Sequence, residues 1–450
     1  MNDQAAAPPT LLCIYPWLAM GGADKFNLDM LAQLRARGWR ILVATTLAHT
    51  HPWRPQFEQV CDDIIDIGVL PPETQANRLL ELVAERRPGW ILTSNSNLGY
   101  RLLPAMRVQH PDAAYLDYNH AVDPDDPRGG YPAESIAMAE YLDLQLVSSH
   151  PLRDWMLERG GSAERIRVCT TNIDVDDWNP DRFDRTELRA ALGIAPTAFV
   201  GIFPARLEHV KRPPLAVALM RVVADAIPDA SFLIAGDGTY SGFLHSYIRA
   251  HGLERRIRML GSVRNERMRE LLALSDVLLL PSRMEGLSLA IYEAMAMRVV
   301  PVSVAAGGQA ELVTPECGVL VPRSSNEQQE YTQVLLDLAR NRPRLAAMGH
   351  AARERVRSHF RLDQMGERIQ ALLIEAKTIQ LQRVHQIDSA DIVQRAIERA
   401  TADAIRDANW TQHVSSNTMR RRLRNGYWWM VAHGAWWIVP LTERLRFGKN

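Results

Sequence analysis

The chain has little cysteine, and none of it is placed as a metal-binding pair. Its four cysteines lie far apart without a C-x-x-C spacing: Cys13, Cys61, Cys169 and Cys317. This distribution argues against a disulfide framework and against a zinc site. It fits buried free thiols in the reducing environment of the cytoplasm.

An excess of either charge and a long uninterrupted apolar run are also absent. Lysine plus arginine equals aspartate plus glutamate at 52 each, so no overall field favours nucleic acid or a membrane surface. The most apolar stretch, residues 287–306, is interrupted by Glu293 and Arg298, which argues against a membrane span. The first ten residues lack the basic and apolar regions of a signal peptide. At 450 residues and 47% hydrophobic, the chain is predicted to form two or three soluble domains.

The dinucleotide-binding pattern G-x-G-x-x-G does not follow the first predicted strand. A pair of glycines, Gly21 and Gly22, stands there instead, before Ala23 and Asp24. Glycines at this place let the backbone approach a ligand, and they also suit an ordinary tight turn. The pair alone leaves both interpretations open, and it disfavours a dinucleotide cofactor.

Apolar runs of strand length alternate with amphipathic runs of helix length up to about residue 360. Strands are predicted near 11–17, 40–46, 90–94, 113–118, 144–148 and 166–170, and again near 199–204, 231–235, 257–260, 276–281, 299–303 and 318–321. Such alternation predicts an α/β fold with a parallel sheet in each half. We therefore expect two Rossmann-like, doubly wound domains facing a central cleft.

The predicted domain boundaries follow from where this alternation pauses and ends. The first domain covers residues 1–172, a polar, proline-broken hinge covers 173–196, and the second domain covers 197–360. Residues 361–450 form a helical extension, with helices expected at 361–378 and 387–408.

Two glutamates, Glu285 and Glu293, flank the start of a predicted helix in the second domain. Glu285 lies in the loop after the apolar strand 276–281, and Glu293 lies further along in the helix. Ligands bind at the carboxyl edge of a parallel sheet, where helix-start amides favour phosphate and carboxylates accept bonds from sugar hydroxyls. The pattern predicts a nucleotide-sugar site.

Two cations, Arg206 and Lys211, follow the first strand of the second domain. They could clamp a diphosphate and neutralise charge on a leaving group. An isolated pair of this kind is more often engaged in surface salt bridges. Its place after the first strand of a Rossmann-like unit favours a role in binding the diphosphate.

A histidine and two acidic pairs complete the candidates. His120 ends a predicted strand and could hydrogen-bond a substrate, although a satisfied core histidine is the commoner case. The D-x-D pairs at 123–125 and 174–176 have no further ligands nearby, so no metal site is predicted.

In their order and spacing, these motifs resemble the retaining glycosyltransferases of the GT-B fold, family 4, over residues 10–375. The resemblance is carried by the following motifs: Gly21-Gly22-Ala23, His120, Asn172-Ile173-Asp174 with Trp178-Asn179-Pro180, Arg206 with Lys211, Gly236-Asp237-Gly238, Glu285-x7-Glu293 and Gly307-Gly308-x-x-Glu311.

The resemblance implies a role for each matched residue. Arg206 and Lys211 would bind the donor diphosphate, and Glu293 would accept bonds from the ribose hydroxyls. The donor sugar would face Glu285, with amides of Gly286, Leu287 and Ser288 contacting sugar or phosphate, and the base would border Gly261, Ser262 and Val263. From the other domain, Gly21 and Gly22 would approach the phosphate and His120 the reacting sugar. Domain closure would exclude water, and neither a metal nor another cofactor would be needed.

The chain departs from the family pattern at two places. Asp24 stands where the family often has glutamate, and the hinge Asn172-Ile173-Asp174 lacks the usual glycine. Neither departure touches the phosphate clamp or the carboxylate pair.

The C-terminal 35 residues have a composition of their own, with seven Lys/Arg against one acid and four of the eleven tryptophans. Trp428, Ala432, Ala435 and Trp436 would share one face of a helix. Basic residues beside interfacial tryptophans suit a helix lying on a membrane, and the same residues equally suit a capping helix packed on the protein.

The prediction from sequence is therefore a retaining glycosyltransferase that uses a nucleotide-diphosphate sugar. A saccharide or lipid-linked saccharide acceptor, cell-surface polysaccharide synthesis, and a cytoplasmic location, peripheral on the inner membrane face, are expected with it; nucleic acid is not. Two alternatives stay open: a sugar-nucleotide epimerase on a similar fold, and a non-catalytic partner subunit.

Overall fold

The computed structural model describes residues 8–19, 21–123, 126–383 and 390–416, with the side chains of 407–416 excepted. The described residues up to 412 divide into two compact units, 8–172 with 360–412, and Ile173–His359. Each unit holds one sheet whose strands pair in parallel. The predicted fold class, two parallel α/β sheets with helices at the C-terminal end, is confirmed.

The first sheet has seven strands in the order β3-β2-β1-β4-β5-β6-β7. Their bounds are β1 (Thr10–Tyr15), β2 (Arg40–Thr45), β3 (Asp63–Asp66), β4 (Trp90–Thr93), β5 (Ala114–Asn119), β6 (Leu144–Val147) and β7 (Ile166–Val168). The sequence predicted six of these and missed β3. This edge strand has only two apolar residues between two aspartates, which is too short a run for an apolar pattern to indicate a strand.

Helices cover both faces of the first sheet. They are α1 (Gly22–Ala36), α2 (Arg54–Glu58), α3 (Pro72–Arg86), α4 (Asn97–Gln109), α5 (Tyr131–Ala137) and α6 (His150–Leu157). Strands such as β1 are buried along nearly their whole length, because a sheet covered on both faces leaves no polar side.

The chain returns to the first unit after residue 359. The helix predicted at 361–378 is present as Leu362–Gln382, and its residues Ile369 and Leu373 are buried in the core beneath β1 and β5. Trp90 Nε1 donates a hydrogen bond of 2.7 Å to the Leu373 carbonyl. This helix therefore completes the core of the first unit.

A further helix, Ala390–Ser416, overlaps the helix predicted at 387–408 from residue 390 onward and extends beyond its predicted end. Its Ala396 and Ala400 are buried on the opposite face of the first sheet. The tryptophan-rich tail from residue 417 onward lies outside the described residues. None of the helices within the described ranges has both the length and the apolar composition needed to span a bilayer.

The second sheet has six strands in the order β10-β9-β8-β11-β12-β13. They are β8 (Val200–Pro204), β9 (Ser231–Ala235), β10 (Ile257–Gly261), β11 (Val277–Leu280), β12 (Val300–Val304) and β13 (Val319–Val321). All six strands predicted for this half are present. Its helices are α7 (Arg185–Ala191), α8 (Pro213–Ala226), α9 (Ser241–Ala250), α10 (Asn265–Leu274), α11 (Leu289–Ala296), α12 (Gln309–Leu312), α13 (Glu327–Arg340) and α14 (Arg342–His359), and the two later helices described above are α15 and α16.

The segment predicted as a hinge is held by the second unit. Arg353 donates to the carbonyl of Trp178 at 2.9 Å and to that of Val175 at 3.4 Å. Arg298 forms a bidentate pair with Asp181, at 2.6 and 2.8 Å. Residues 173–181 are therefore fixed on α14 and the end of α11.

The four cysteines are unpaired, as predicted, and three of them are buried. Burial raises the pKa of Cys13 and of Cys169 to about 12. Both thiols therefore stay protonated near neutral pH and behave as small apolar side chains.

Candidate functional site

The candidate site of the second unit lies where the strand order of its sheet reverses. Strands β8 and β11 are neighbours in the sheet although about 70 residues separate them in sequence. Their following loops leave the carboxyl edge side by side, and Arg283 N donates to the Val210 carbonyl at 2.7 Å to join them. In open α/β sheets this reversal point is where ligands bind.

The two joined loops bring Lys211 and Glu285 into direct contact. Lys211 Nζ lies 2.6 Å from Glu285 Oε1, and the Glu285 residue is only 8% exposed. The sequence placed both residues at the site but did not predict that they form an ion pair. A lysine beside this carboxylate is held at the sheet edge, where it can share its other hydrogens with a phosphate.

Arg206, the other predicted cation, is exposed in the loop after β8. Two residues further on, Glu208 accepts hydrogen bonds from Thr239 N at 3.0 Å and from Thr239 Oγ1 at 2.6 Å. This contact fixes the loop to the one that follows β9.

Two glycines of the Gly236-Asp237-Gly238 motif allow these loops to pack backbone to backbone. A Cβ on Gly236 would lie 1.9 Å from the Ala205 carbonyl oxygen, and one on Gly238 would lie 2.6 Å from that of Leu207. Leu207 N also donates to the Asp237 carbonyl at 2.9 Å. The motif therefore fixes the backbone of the loop that carries Arg206 and Lys211, here called the cation loop.

Gly307, in the loop after β12, allows an equally close backbone approach to the loop that carries Glu285, here called the glutamate loop. Its φ is +59°, and a Cβ there would lie 1.7 Å from the Glu285 carbonyl oxygen. Gly308 N donates to the Gly286 carbonyl at 3.0 Å. Glu285 is therefore positioned by the loop after β12 as well as by Lys211.

The helix that follows Glu285 begins as the sequence predicted. Ser288 is the N-cap of α11, and Gly286 and Leu287 precede it in the loop. Glu293 lies partly buried in the second turn of this helix. The amides of a helix's first turn have no partner within the helix, so they are suited to bind an anion.

The loop after β10 adjoins that after β9. Gly236 N donates to the Gly261 carbonyl at 2.8 Å, and Val263 follows in a half-buried position. Val263 thus lies at the same sheet edge as the cation loop, toward the side of β10.

In the first unit, Gly21 and Gly22 open α1 at the sheet reversal between β1 and β4. Gly21 is the N-cap residue in an extended conformation, and Gly22 is exposed. The carboxylate of Asp24 folds back toward the loop, where its Oδ1 accepts from Ala19 N at 3.3 Å. Asp24, although shorter than the glutamate often found in the family, thus links the start of α1 to the loop that holds the two glycines.

His120 follows β5 at the same edge, with its ring against Phe26 of α1 and Tyr118. Its Nε2 lies 3.2 Å from Ser94 Oγ, whose own hydrogen goes to the Tyr118 carbonyl at 3.1 Å. We therefore assign the ring proton to Nε2, which leaves Nδ1 as an acceptor. Burial lowers the pKa of His120 to about 3, so the ring is neutral near pH 7.

The neutral His120 predicts a pH dependence of stability. The unfolded chain takes up a proton at this residue near pH 6.5 and the folded chain does not, so stability falls as pH drops from 6.5 toward 3. Replacing His120 by asparagine removes this loss. We expect the stability advantage of wild type over His120→Asn to shrink on going from about pH 7.5 to about pH 5, by at most about 1.4 kcal/mol per pH unit. Urea unfolding at the two pH values measures it, and a constant difference would contradict the assignment.

Sequence reasoning missed several polar residues at these edges. Ser282 Oγ and both side-chain polar atoms of Gln309 are buried with no hydrogen-bond partner among the described residues, and they flank the Glu285 and Gly307 loops. Ser94, which holds His120, was missed too. The polar run Ser94-Asn95-Ser96 directly after an apolar strand was the available signal.

The acidic pairs behave as loop residues. Asp174 Oδ1 accepts from the amides of Asp176 and Asp177, both at 3.0 Å, in a local turn. Asp125 lies outside the described residues. Among the described side chains, no three His, Cys, Asp or Glu form a group that could hold a metal ion.

Comparison with known proteins gives a match to one family over part of the chain. The family model "Glycosyl transferases group 1" matches residues 184–355, which include Arg206, Lys211, Glu285 and Glu293. Over residues 184–355 the chain is therefore similar to this family of glycosyltransferases, in agreement with the resemblance found in the sequence.

Two curated relatives illustrate the match. A GDP-mannose-dependent monoacylated alpha-(1-6)-phosphatidylinositol monomannoside mannosyltransferase of Corynebacterium glutamicum is 29% identical over 51% of this chain and 61% of its own length. The lipopolysaccharide core biosynthesis mannosyltransferase LpsB of Rhizobium meliloti is 30% identical over 46% of this chain. The matched part spans 59% of the latter, so less than two thirds of either relative is covered.

Solved structures share the fold. HepE of Anabaena in complex with UDP-glucose has a TM-score of 0.69 at 20% identity, over 81% of this chain and 99% of its own. WaaG, a glycosyltransferase involved in lipopolysaccharide biosynthesis, has a TM-score of 0.63 at 14% identity, over the same shares of the two chains. The chain therefore has two parallel α/β sheets of the kind found in GT-B glycosyltransferases.

Proposed function

We propose that this protein is a retaining, metal-independent glycosyltransferase that moves a hexose from a nucleotide-diphosphate sugar to a saccharide or lipid-linked saccharide. The observation that carries the proposal is the Lys211–Glu285 pair at the reversal point of the second sheet, in the loops that also hold Arg206 and lead into α11. The match of residues 184–355 to the glycosyltransferase family supports the same reaction class.

The diphosphate of the donor is proposed to bind between Lys211, Arg206 and the first amides of α11. Breaking the bond from the anomeric carbon to the leaving oxygen collects negative charge on the diphosphate. The two cations and the helix start would stabilise that charge without a metal, and Lys211 and the helix start are in place before the reaction.

The two glutamates are proposed to bind the neutral parts of the donor. Glu285, aimed by Lys211 and by the Gly307 loop, faces the transferred sugar, and Glu293 accepts from the ribose hydroxyls. Amides of Gly286, Leu287 and Ser288 would contact sugar or phosphate, and Val263 would border the base. That Gly21 and Gly22 approach the donor phosphate, and that His120 approaches the reacting sugar, stay predictions.

The acceptor is proposed to be a sugar that belongs to a lipid-linked or polymeric saccharide. One curated relative is named for a phosphatidylinositol monomannoside acceptor, and the other is named for lipopolysaccharide core biosynthesis. We propose on the same ground that the protein acts in cell-surface glycan synthesis, in the cytoplasm at the inner membrane face.

Nucleotide binding tests the donor site. One relative is named for GDP-mannose and the HepE structure contains UDP-glucose, so GDP and UDP are the first probes and dTDP is the third. We expect one of them to raise the thermal unfolding temperature of the wild type, since ligand at a hundredfold excess over Kd adds about 2.7 kcal/mol of stability.

The same nucleotide should stabilise Lys211→Ala much less. Arg267→Ala, which loses only an exposed ion pair with Glu270, should respond as the wild type does. No stabilisation by any of the three nucleotides would contradict the proposal. A labelled donor then separates transfer from epimerisation: label on an acceptor supports the transferase, and an epimerised free nucleotide sugar supports the epimerase.

A further inference from the structure

An exposed tryptophan lies at the carboxyl edge of the first sheet, in the loop between β1 and α1. Trp17 follows β1 and is 38% exposed. Its ring lies against that of His49, which follows β2, with the ring centroids 5.6 Å apart and the planes tilted by 39°. We call Trp17 and His49 the aromatic platform.

The backbone beneath the platform is held firmly. Leu47 N donates to the Pro16 carbonyl at 2.8 Å, and Trp53 N donates to that of Leu18 at 3.1 Å. Leu18 N donates in turn to the ring Nδ1 of His51 at 3.1 Å. Since these bonds tie the segment after β1 to that after β2, the exposed tryptophan sits on a rigid base.

His51 is the centre of that base. It is 5% exposed, it has a φ of +46°, and its Nε2 lies 3.2 Å from Asp66 Oδ2 at the end of β3. A non-glycine residue in the left-handed region persists only where its surroundings determine it. The ends of three neighbouring strands thus jointly fix the platform.

The platform presents an apolar face with polar edges. His49 Nδ1 accepts from His51 N at 3.2 Å, so in its neutral form His49 carries its proton on Nε2. The indole N–H of Trp17 is a second ring donor. A pyranose ring offers the matching chemistry, because its axial C–H groups form an apolar face and its hydroxyls accept hydrogen bonds.

The place of the platform decides which sugar it would take. Strands lie about 4.8 Å apart, so the end of β1 is about 10 Å from the end of β5, where His120 stands. His49 extends the platform further away, toward β2. This separation exceeds one pyranose ring, so the platform lies beyond the sugar that would react beside His120.

We propose that Trp17 and His49 bind a non-reacting sugar ring of the acceptor, which makes a saccharide of two or more residues the preferred acceptor class. That this sugar belongs to an acceptor rests on the proposed function, a glycosyltransferase. The binding of a sugar ring to the platform does not depend on it.

Saturation-transfer NMR without any nucleotide tests the platform. The probes are methyl α-D-mannopyranoside, methyl α-D-glucopyranoside and methyl α-D-galactopyranoside, each titrated against the full chain. We expect at least one of them to receive saturation mainly on the C–H protons of one ring face. Trp17→Ala should weaken its binding roughly tenfold, while Trp17→Phe, which keeps an aromatic face, should retain most of it.

Two further variants complete the design. His49→Ala alters an exposed side chain and should also weaken binding, which keeps the test valid if Trp17→Ala folds poorly. Ile374→Ala removes another exposed apolar side chain, on α15, and should bind the glycoside as the wild type does. Absence of binding by all three glycosides, or unchanged binding in Trp17→Ala and His49→Ala, would overturn the platform. Because no donor is present, failure of the nucleotide experiment would reject the transferase and leave this result standing.

Discussion

Replacing Lys211 by alanine is expected to lower kcat for sugar transfer by about 10²–10³-fold, the effect of removing one preorganised group that stabilises developing charge. Lys211 stands at the sheet reversal with its Nζ 2.6 Å from Glu285, so it is already in place when charge collects on the leaving diphosphate. The initial rate of nucleotide release at saturating donor measures the effect. Arg267→Ala serves as the control for loss of a cation, and it should retain the wild-type rate.

The double variant Lys211→Ala with Glu285→Ala separates catalysis from stability. Removing Lys211 alone leaves the carboxylate of Glu285 buried without this partner, which is expected to cost about 1–3 kcal/mol of folding stability. Removing Glu285 as well should recover part of that stability, while transfer stays lost. If transfer returned together with stability, the loss in Lys211→Ala would come from misfolding and the catalytic role of the lysine would be wrong.

Gly307→Ala is expected to reduce transfer by about 10²-fold although position 307 carries no chemistry, because small misplacements of catalytic groups have effects of this size. The new Cβ would lie 1.7 Å from the Glu285 carbonyl oxygen, so the glutamate loop must move. The left-handed backbone, with φ at +59°, adds about 1–2 kcal/mol of strain for alanine. Steady-state kinetics and thermal unfolding of the same sample measure the two effects.

Gly193→Ala is the matched control for this variant. Gly193 has the same φ of +59°, but nothing lies within 4 Å of the Cβ that alanine would add. It should lose the same backbone stability and keep full transfer. An equal loss of transfer in both variants would show that strain, and not displacement of Glu285, is responsible.

Much of this architecture could be predicted because the physical signal lay within short segments. Strands such as β11 (Val277–Leu280) are fully buried runs of valine and leucine, and a sheet covered on both faces requires such runs. The missed strand β3 (Asp63–Asp66) lies at an edge, where few apolar side chains are needed. The signal for the helix start at Ser288 was equally local, because a loop after a buried strand is followed there by residues that favour helix.

The site was only partly predictable, because its decisive contacts join distant segments. The sequence placed Lys211 and Glu285 in loops at the same edge, but nothing in either segment indicates the ion pair that joins them across 74 positions. Gly307 could be recognised as part of a glycine pair, yet the reason for it, the carbonyl of Glu285, lies on a different loop. The aromatic platform depends likewise on three strand ends that meet only in the folded sheet.

The sequence by itself thus determined which segments become strands and helices and which polar residues stand at strand ends, because hydrophobic periodicity and turn chemistry act over a few residues. Only the tertiary structure decided how those ends are arranged. Strand order brings β8 beside β11, and it sets Trp17 and His49 apart from His120 on one edge. The physical reason is that pairing between distant strands is chosen by the packing of the whole sheet, and no local pattern encodes it.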